Sequence, residues 1–309
     1  MNSLLALVLL AQVPHQPFGV QPTPELERLG RKLFFDPILS ADGTVSCASC
    51  HDPNKGWADG RATAIGIRGQ VGNMNSPSIL NRAFFREQFW NGRTFGHGTQ
   101  ALQPLENAIE MGPRGNEAAA VVRLRNDSEY VKLFANALGT QPTAIGLATS
   151  IAVFENTIVS KDCLATRRAN GRRVLSPDAE VGYNLFTGIA RCSTCHKPPL
   201  WTDFGYHNNG VMHGRTIGPQ GRIEVTRLRA DRRKWKTQPL IGLKHTAPYM
   251  HDGSLPTIRS VLEHYNLGGV RNGRVDANTE IRPLGLTSTQ LDYLEKFVIE
   301  GFEPMETPR

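Results

Sequence analysis

Cys47-Ala48-Ser49-Cys50-His51 recurs later in the chain as Cys192-Ser193-Thr194-Cys195-His196, and the two stretches use four of the 5 cysteines. With 5 cysteines and 9 histidines in 309 residues, one C-x-x-C-H is expected by chance only roughly 0.002 times per chain. The spacing has a chemical reading. Two thiols three positions apart on a helical turn can each add to a porphyrin vinyl group, and the adjacent histidine is then carried beneath the ring to bind iron. The competing readings are a disulfide, a thioredoxin-like pair and a four-cysteine zinc site. A redox pair needs no following histidine. A zinc ribbon sets its pairs about 15 to 20 residues apart, whereas Cys50 and Cys192 are 142 positions apart. Two covalent c-type haems are therefore expected, with Cys163 left over as a buried free thiol.

The similarity extends outward from the pentapeptides. Gly30-Arg31-Lys32-Leu33-Phe34 precedes the first and Trp57-Ala58-Asp59 follows it; Gly182-Tyr183-Asn184-Leu185-Phe186 precedes the second and Trp201-Thr202-Asp203 follows it. A duplicated haem domain accounts for this most simply. The expected division is an export segment over 1–20, a first haem domain over 21–160, a linker over 161–177 and a second haem domain over 178–309.

Periodicity places the helices. Thr23-Pro24 opens one carrying Leu26, Leu29 and Leu33 on one face; others are expected over Thr143 to Ser160, Ser254 to Tyr265 (closed by Gly268-Gly269) and Ser288 to Glu300. Alternating strands are few, so the expected fold is mainly α, with two tandem cytochrome c-like domains and long loops. The chain is 39% hydrophobic but only 7% aromatic, with 30 Gly and 20 Pro, which is thin material for two cores unless porphyrin rings help to fill them. No run approaches the roughly 20 apolar residues of a spanning helix. The net charge of +7 is spread along the chain, which argues against nucleic acid as a partner. Met1 to Val13 reads as the apolar core of a signal peptide, although without a basic start, and implies export to the periplasm.

The run Phe34 to Ser40, the first pentapeptide, Asn75-Ser76-Pro77-Ser78, Phe89-Trp90-Asn91-Gly92-Arg93, Glu110-Met111-Gly112, the second pentapeptide and Thr246-Ala247-Pro248-Tyr249-Met250-His251-Asp252-Gly253 together resemble the bacterial di-haem cytochrome c peroxidase family, including its MauG-like branch. The resemblance covers about Leu26 to the C-terminus. It implies that His51 and His196 are the proximal iron ligands. It also implies that Glu110 is the distal carboxylate that moves a proton between the peroxide oxygens, with Gln100 and Pro104 lining the same pocket. Trp90 would lie between the haems. The side chain of Asn75 and the carbonyls of Thr246 and Pro248 would hold calcium, which suits hard oxygen donors.

Two positions refine the resemblance. No histidine occurs from Asp52 to Gly96, where reductively activated peroxidases carry one that caps the first iron, so an open first haem is implied unless His97 takes that place. Fourteen residues after His251, where those enzymes have methionine, this chain has Tyr265, as the MauG-like branch does; Met250 and Met212 are the competing ligands. His251 is expected to support the site without ligating, and His207, His213, His245 and His264 are read as ordinary histidines. Ile241-Gly242 departs from the Arg-Asn pair of many relatives. The implied activity is reduction of hydrogen peroxide with electrons from a small redox protein, a cytochrome c or a copper protein. The alternatives are a MauG-like oxidase that uses a high-valent di-haem state to oxidise a partner protein, and a di-haem electron carrier or redox sensor. Pairing into a homodimer is left open.

Overall fold

The computed structural model describes residues 19–211, 218–269 and 280–306; the apolar N-terminal run, Met212 and His213 lie outside them. Its helices are α1 (Pro24–Phe35), α2 (His97–Leu102), α3 (Asn116–Arg125), α4 (Ser128–Leu138), α5 (Ala144–Glu155), α6 (Leu164–Ala169), α7 (Pro177–Thr187), α8 (Ile223–Thr226), α9 (Ile258–Asn266) and α10 (Ser288–Gly301). Among the described residues the named strands form only two short antiparallel ladders, β1 (Glu87–Gln88) with β2 (Thr94–Phe95) and β3 (Tyr206–His207) with β4 (Trp235–Lys236). The mainly helical expectation is met.

Helix α1 starts where the sequence places it. Thr23 Oγ1 accepts from Leu26 N at 3.2 Å, Pro24 stands where no amide partner is needed, and Leu26, Leu29, Leu33 and Phe34 are buried. Its neighbour α5 is buried on every side from Gly146 to Glu155, as a central helix must be. The expected extension of α5 to Ser160 does not occur. Asn81 draws the chain out instead, donating Nδ2 to Ser160 O at 2.7 Å and receiving Ser160 N on Oδ1 at 2.9 Å. Helix α9 likewise starts at Ile258, not Ser254, because Tyr249 and Leu255 pair through their backbones and Thr257 and Ser260 form the capping box beyond them. Helix α10 runs close to the expected bounds, with Leu291, Leu294, Phe297 and Val298 inside.

Each pentapeptide follows a helix that crosses another through a glycine. A Cβ on Gly30 would stand 1.8 Å from Ser150 O, and one on Gly182 would stand 2.0 Å from Tyr293 O, so α1 meets α5, and α7 meets α10, at backbone contact distance. The next turns supply matching aromatic clusters. Phe34 lies 5.2 Å from Phe154 and 6.0 Å from Trp57; Phe186 lies 5.2 Å from Phe297 and 5.9 Å from Trp201. Each such fully buried ring contributes about 1.5–3 kcal/mol relative to exposure. The segment read as a linker contains α6, and Cys163 at its start is fully buried with Sγ 3.2 Å from Thr166 Oγ1.

Candidate functional site

The two pentapeptides fold alike. Cys47–Ser49 and Cys192–Thr194 are 3-10 turns, and His51 N and His196 N donate to Cys47 O at 3.0 Å and Cys192 O at 2.9 Å. The imidazoles are oriented by the tryptophans that follow: His51 Nδ1 lies 3.2 Å from Trp57 O and His196 Nδ1 lies 2.9 Å from Trp201 O. Both tryptophans adopt a left-handed backbone, φ 62 and φ 58, which is uncommon away from glycine and indicates a conformation held by its surroundings. With Nδ1 donating to a carbonyl, Nε2 of each ring carries the lone pair. Burial lowers the pKa of both histidines, that of His51 to about 4, which keeps the ring in its neutral, ligating form. Burial also pushes up the thiols of Cys47, Cys50 (to about 11) and Cys192 (to about 12), and all four motif cysteines are free of disulfides.

Several buried groups lack acceptors that an anionic prosthetic group would supply. Arg82 is 3% exposed and its Nη1 has no hydrogen-bond partner; Trp235 is buried and its Nε1 has none either. Lys236 is buried beside them in charge terms, held down to about 7 by burial and by repulsion from Arg82. The nearby carboxylate of Glu87 is already shared by Tyr206 OH at 2.6 Å, Arg222 Nη2 at 2.6 Å and Lys236 Nζ at 3.8 Å. This surplus of buried donors and positive charge fits the carboxylates of haem, and the Cys-x-x-Cys-His pairs fit its vinyl groups and iron.

Of the distal candidates, Glu110 is the one tied electrostatically to the first pentapeptide. Glu110 is half-buried, and Asn107 Nδ2 donates to its Oε1 at 2.7 Å. Its backbone is fixed by Ile67 N donating to Glu110 O at 3.0 Å and by Gly66, where a Cβ would stand 1.8 Å from Ile109 O. Burial raises the Glu110 pKa, while Arg93 and Asn107 oppose that rise. The carboxylate in turn raises the Cys50 thiol, which places it within electrostatic reach of the first pentapeptide. Gln100 sits on α2, and Pro104 opens the 3-10 turn Pro104–Glu106. A cavity of about 600 Å³ is lined by Arg93, Thr99, Gln103, Glu106 and Asn107 among others, next to the residue that holds Glu110. His97 is buried, with Nδ1 3.7 Å from Glu155 Oε2.

Trp90 joins the two halves. Its Nε1 donates to Asn75 O at 2.8 Å, and its ring lies 6.4 Å from that of His251, edge to face. His251 stacks on Trp235 at 3.9 Å with planes 17° apart. Sequence reasoning missed Trp235, Arg82 and Lys236; the signal available was that Trp235 is the fourth tryptophan of 4, after the two motif tryptophans and Trp90. Asn75 N donates to His251 O at 2.8 Å, and its Nδ2 reaches Arg61 O at 2.9 Å and Pro248 O at 3.3 Å. Asn75 and Pro248 are thus adjacent, and the amide and hydroxyl of Thr246 both donate to Leu243 O.

On the second side, burial pushes Tyr265 up to about 12, with Cys192 and Cys195 acting in the same direction, so its hydroxyl lies within electrostatic reach of the second pentapeptide. Asn209 serves both candidate ligands, bonding Tyr265 and donating Nδ2 to Met250 Sδ at 3.4 Å. His264 Nε2 bonds Asn209 O at 2.8 Å. His245 pairs with Glu303 at 2.9 Å. His207 is less ordinary: it bridges Asp203 at 2.8 Å and Glu280 at 2.6 Å beside Cys195, and is pushed up to about 11 by those groups.

Comparison with known proteins gives a consistent set of relatives. The family model for di-haem cytochrome c peroxidase matches residues 24–172, and one for RoxA-like, cytochrome c-like proteins matches residues 235–266. The methylamine utilization protein MauG of Methylorubrum extorquens is 35% identical over 93% of this chain and 80% of its own length. Cytochrome c551 peroxidase of Nitrosomonas europaea is 35% identical over 88% of this chain and 80% of its own length. A crystal structure of a MauG-like protein associated with microbial copper homeostasis superposes with a TM-score of 0.86 at 29% identity, covering 96% of this chain and 94% of that one.

Proposed function

The chain belongs to the di-haem cytochrome c peroxidase family, and from that premise we propose that it is an exported peroxidase that reduces hydrogen peroxide to water with electrons from a small redox protein. Cys47, Cys50 and His51 hold the peroxide-reactive haem; Cys192, Cys195, His196 and Tyr265 hold the electron-transfer haem. When bound, the two haems supply the iron redox chemistry that stores electrons and splits the peroxide bond. The protein's own part is proton handling and electron routing. Glu110 accepts a proton from one peroxide oxygen and returns it to the other, and Asn107 keeps Oε1 fixed so that Oε2 exchanges the proton. Overall, one peroxide, two protons and two electrons give two waters.

The observation that carries this reading is the carboxyl of Glu110, half-buried, raised in pKa, bonded by Asn107 of the cavity wall and within electrostatic reach of the Cys50 thiol. A protonatable carboxyl of that kind suits acid–base work near neutral pH better than an ordinary surface glutamate. Steady-state turnover tests it. Two equivalents of reduced cytochrome or copper protein should be oxidised for each peroxide consumed; no peroxide-dependent oxidation of any donor would end the proposal.

The matching glycine crossings at Gly30 and Gly182 support a duplicated origin and the division into haem domains over 21–160 and 178–309. Calcium belongs to the proposal through Asn75. The carbonyls of Arg61 and Pro248 converge on its amide, and a half-turn of that amide would present Oδ1 beside them as a hard oxygen donor. The apolar stretch at 1–13 supports export to the periplasm.

A second reading has its own support. Tyr265 beside the second pentapeptide, the absence of histidine from 52 to 96 and the MauG relative favour an oxidase acting on residues of a partner protein. If so, the fully oxidised protein should consume peroxide without prior reduction and retain two oxidising equivalents, measurable by back-titration with a reductant. Immediate loss of those equivalents would exclude it.

A further inference from the structure

The segment leading into β4 carries more positive charge than the site uses. Arg227, Arg229 and Arg232 are exposed, and among the described residues none of them pairs with a carboxylate. The acidic residues of the same segment are occupied elsewhere. Glu224 accepts from Asn91 Nδ2 at 3.0 Å and from Gln220 N at 2.8 Å; Asp231 accepts from Thr226 Oγ1 at 2.8 Å and lies 4.0 Å from Lys234. Leu228, between Arg227 and Arg229, is 61% exposed, and Val225, two residues before Arg227, is 38% exposed. Exposed apolar side chains interspersed with exposed arginines are what a protein interface presents, where Arg is enriched around an apolar centre. A nucleic-acid surface would instead offer stacking aromatics, and residues 222 to 234 contain none.

This segment is also braced against the electron path. Arg222, at its root, donates Nη1 to Asn91 O and Gly92 O at 3.1 and 2.9 Å and Nη2 to Glu87 at 2.6 Å, gripping the loop that carries Trp90. At its other end the chain passes directly into Trp235, which stacks on His251, which in turn meets the edge of Trp90. One anchored element therefore presents a basic, partly apolar surface and leads at both ends to the aromatic series between the two halves.

We infer that the surface formed by Val225, Arg227, Leu228, Arg229 and Arg232 is the docking site for an acidic redox protein that donates electrons one at a time. The inference rests on the peroxidase reading and names the charge class of its donor. Each docked donor is oxidised by one electron, and two such events supply the two electrons that one peroxide consumes with two protons. Charges placed this way act on encounter rate and orientation, and salt screens them.

The test uses the holoprotein with two reduced cytochromes c of similar potential, one of strongly negative and one of strongly positive net charge. Wild type should bind the acidic cytochrome and use it with the lower KM, and high salt should weaken both. The combined variant Arg227→Glu, Arg229→Glu, Arg232→Glu should raise the KM and Kd for the acidic cytochrome by at least about tenfold, while peroxide turnover with a small-molecule reductant, which needs no docking, stays at the wild-type rate. Equal binding of the two cytochromes, or an unchanged Kd in the triple variant, would overturn the inference. So would tighter arginine-dependent binding of duplex DNA or of phosphatidylglycerol vesicles. Should no donor support turnover, the peroxidase reading fails, and the calorimetric Kd values still decide the docking surface.

Discussion

Trp235 lies flat on His251, ring centroids 3.9 Å apart, and that contact continues the line from Trp90 into the second half of the chain. Trp90 itself is fixed by one hydrogen bond to Asn75 O. Trp90→Phe keeps an aromatic ring but loses the bond, costing about 1 kcal/mol of stability, and should slow electron equilibration between the haems. Flash photolysis or stopped-flow reduction at two wavelengths measures this; an equilibration rate equal to wild type would remove Trp90 and its stack from the route.

The glycine crossings make a stability prediction. Alanine at Gly30 gains up to about 1 kcal/mol of helix propensity, yet its Cβ would meet Ser150 O at 1.8 Å, and forcing two backbones apart costs about 1–3 kcal/mol or more. The steric cost wins, so Gly30→Ala and Gly182→Ala should each lower the melting temperature of the holoprotein by several degrees, by similar amounts. An exposed control, Gly43→Ala, meets no atom within 4 Å but has φ +69, so any loss there reflects strain alone. Unchanged melting of both crossing variants would contradict the packing described.

These crossings show how much was legible beforehand. The pentapeptides, the paired Gly-to-Phe runs and helices α1 and α10 could be read directly, because each depends on local chemistry: thioether spacing, a cap, an apolar stripe. Glu110 and Trp90 were found only because their surroundings resemble a family. The ends of α5 and α9 were misplaced because Asn81 and the Tyr249–Leu255 pairing, both set by distant contacts, override the apolar period. Arg82 and Lys236 escaped notice since nothing in a sequence tells a buried cation from a surface one.

Calcium removal gives a third prediction. If the carbonyls of Arg61 and Pro248 share an ion with Asn75, chelation should lower the melting temperature and slow inter-haem equilibration, since Asn75 also holds Trp90 and His251. Asn75→Ala should abolish the response to added calcium. Identical melting curves with calcium and with chelator would remove the ion from the account.

The bond from Asn107 to Glu110 predicts a pH effect. It favours the charged carboxylate and so opposes the upward push of burial. Activity that needs the carboxylate as proton acceptor is lost as pH falls through the Glu110 pKa. Asn107→Ala raises that pKa further, so the acid limb of the kcat/KM profile should move to higher pH. A profile superimposable on wild type would show that this carboxyl does not govern the limb.

The most direct measurement is steady-state peroxide turnover of Glu110→Gln, made on protein shown by pyridine haemochrome assay to carry two haems per chain. Glutamine keeps the size of the side chain and can still pair with Asn107 but cannot shuttle a proton. The account predicts a fall in kcat of about a hundredfold or more with haem content unchanged. Turnover within about twofold of wild type, a barrier change well under 1 kcal/mol, would contradict it.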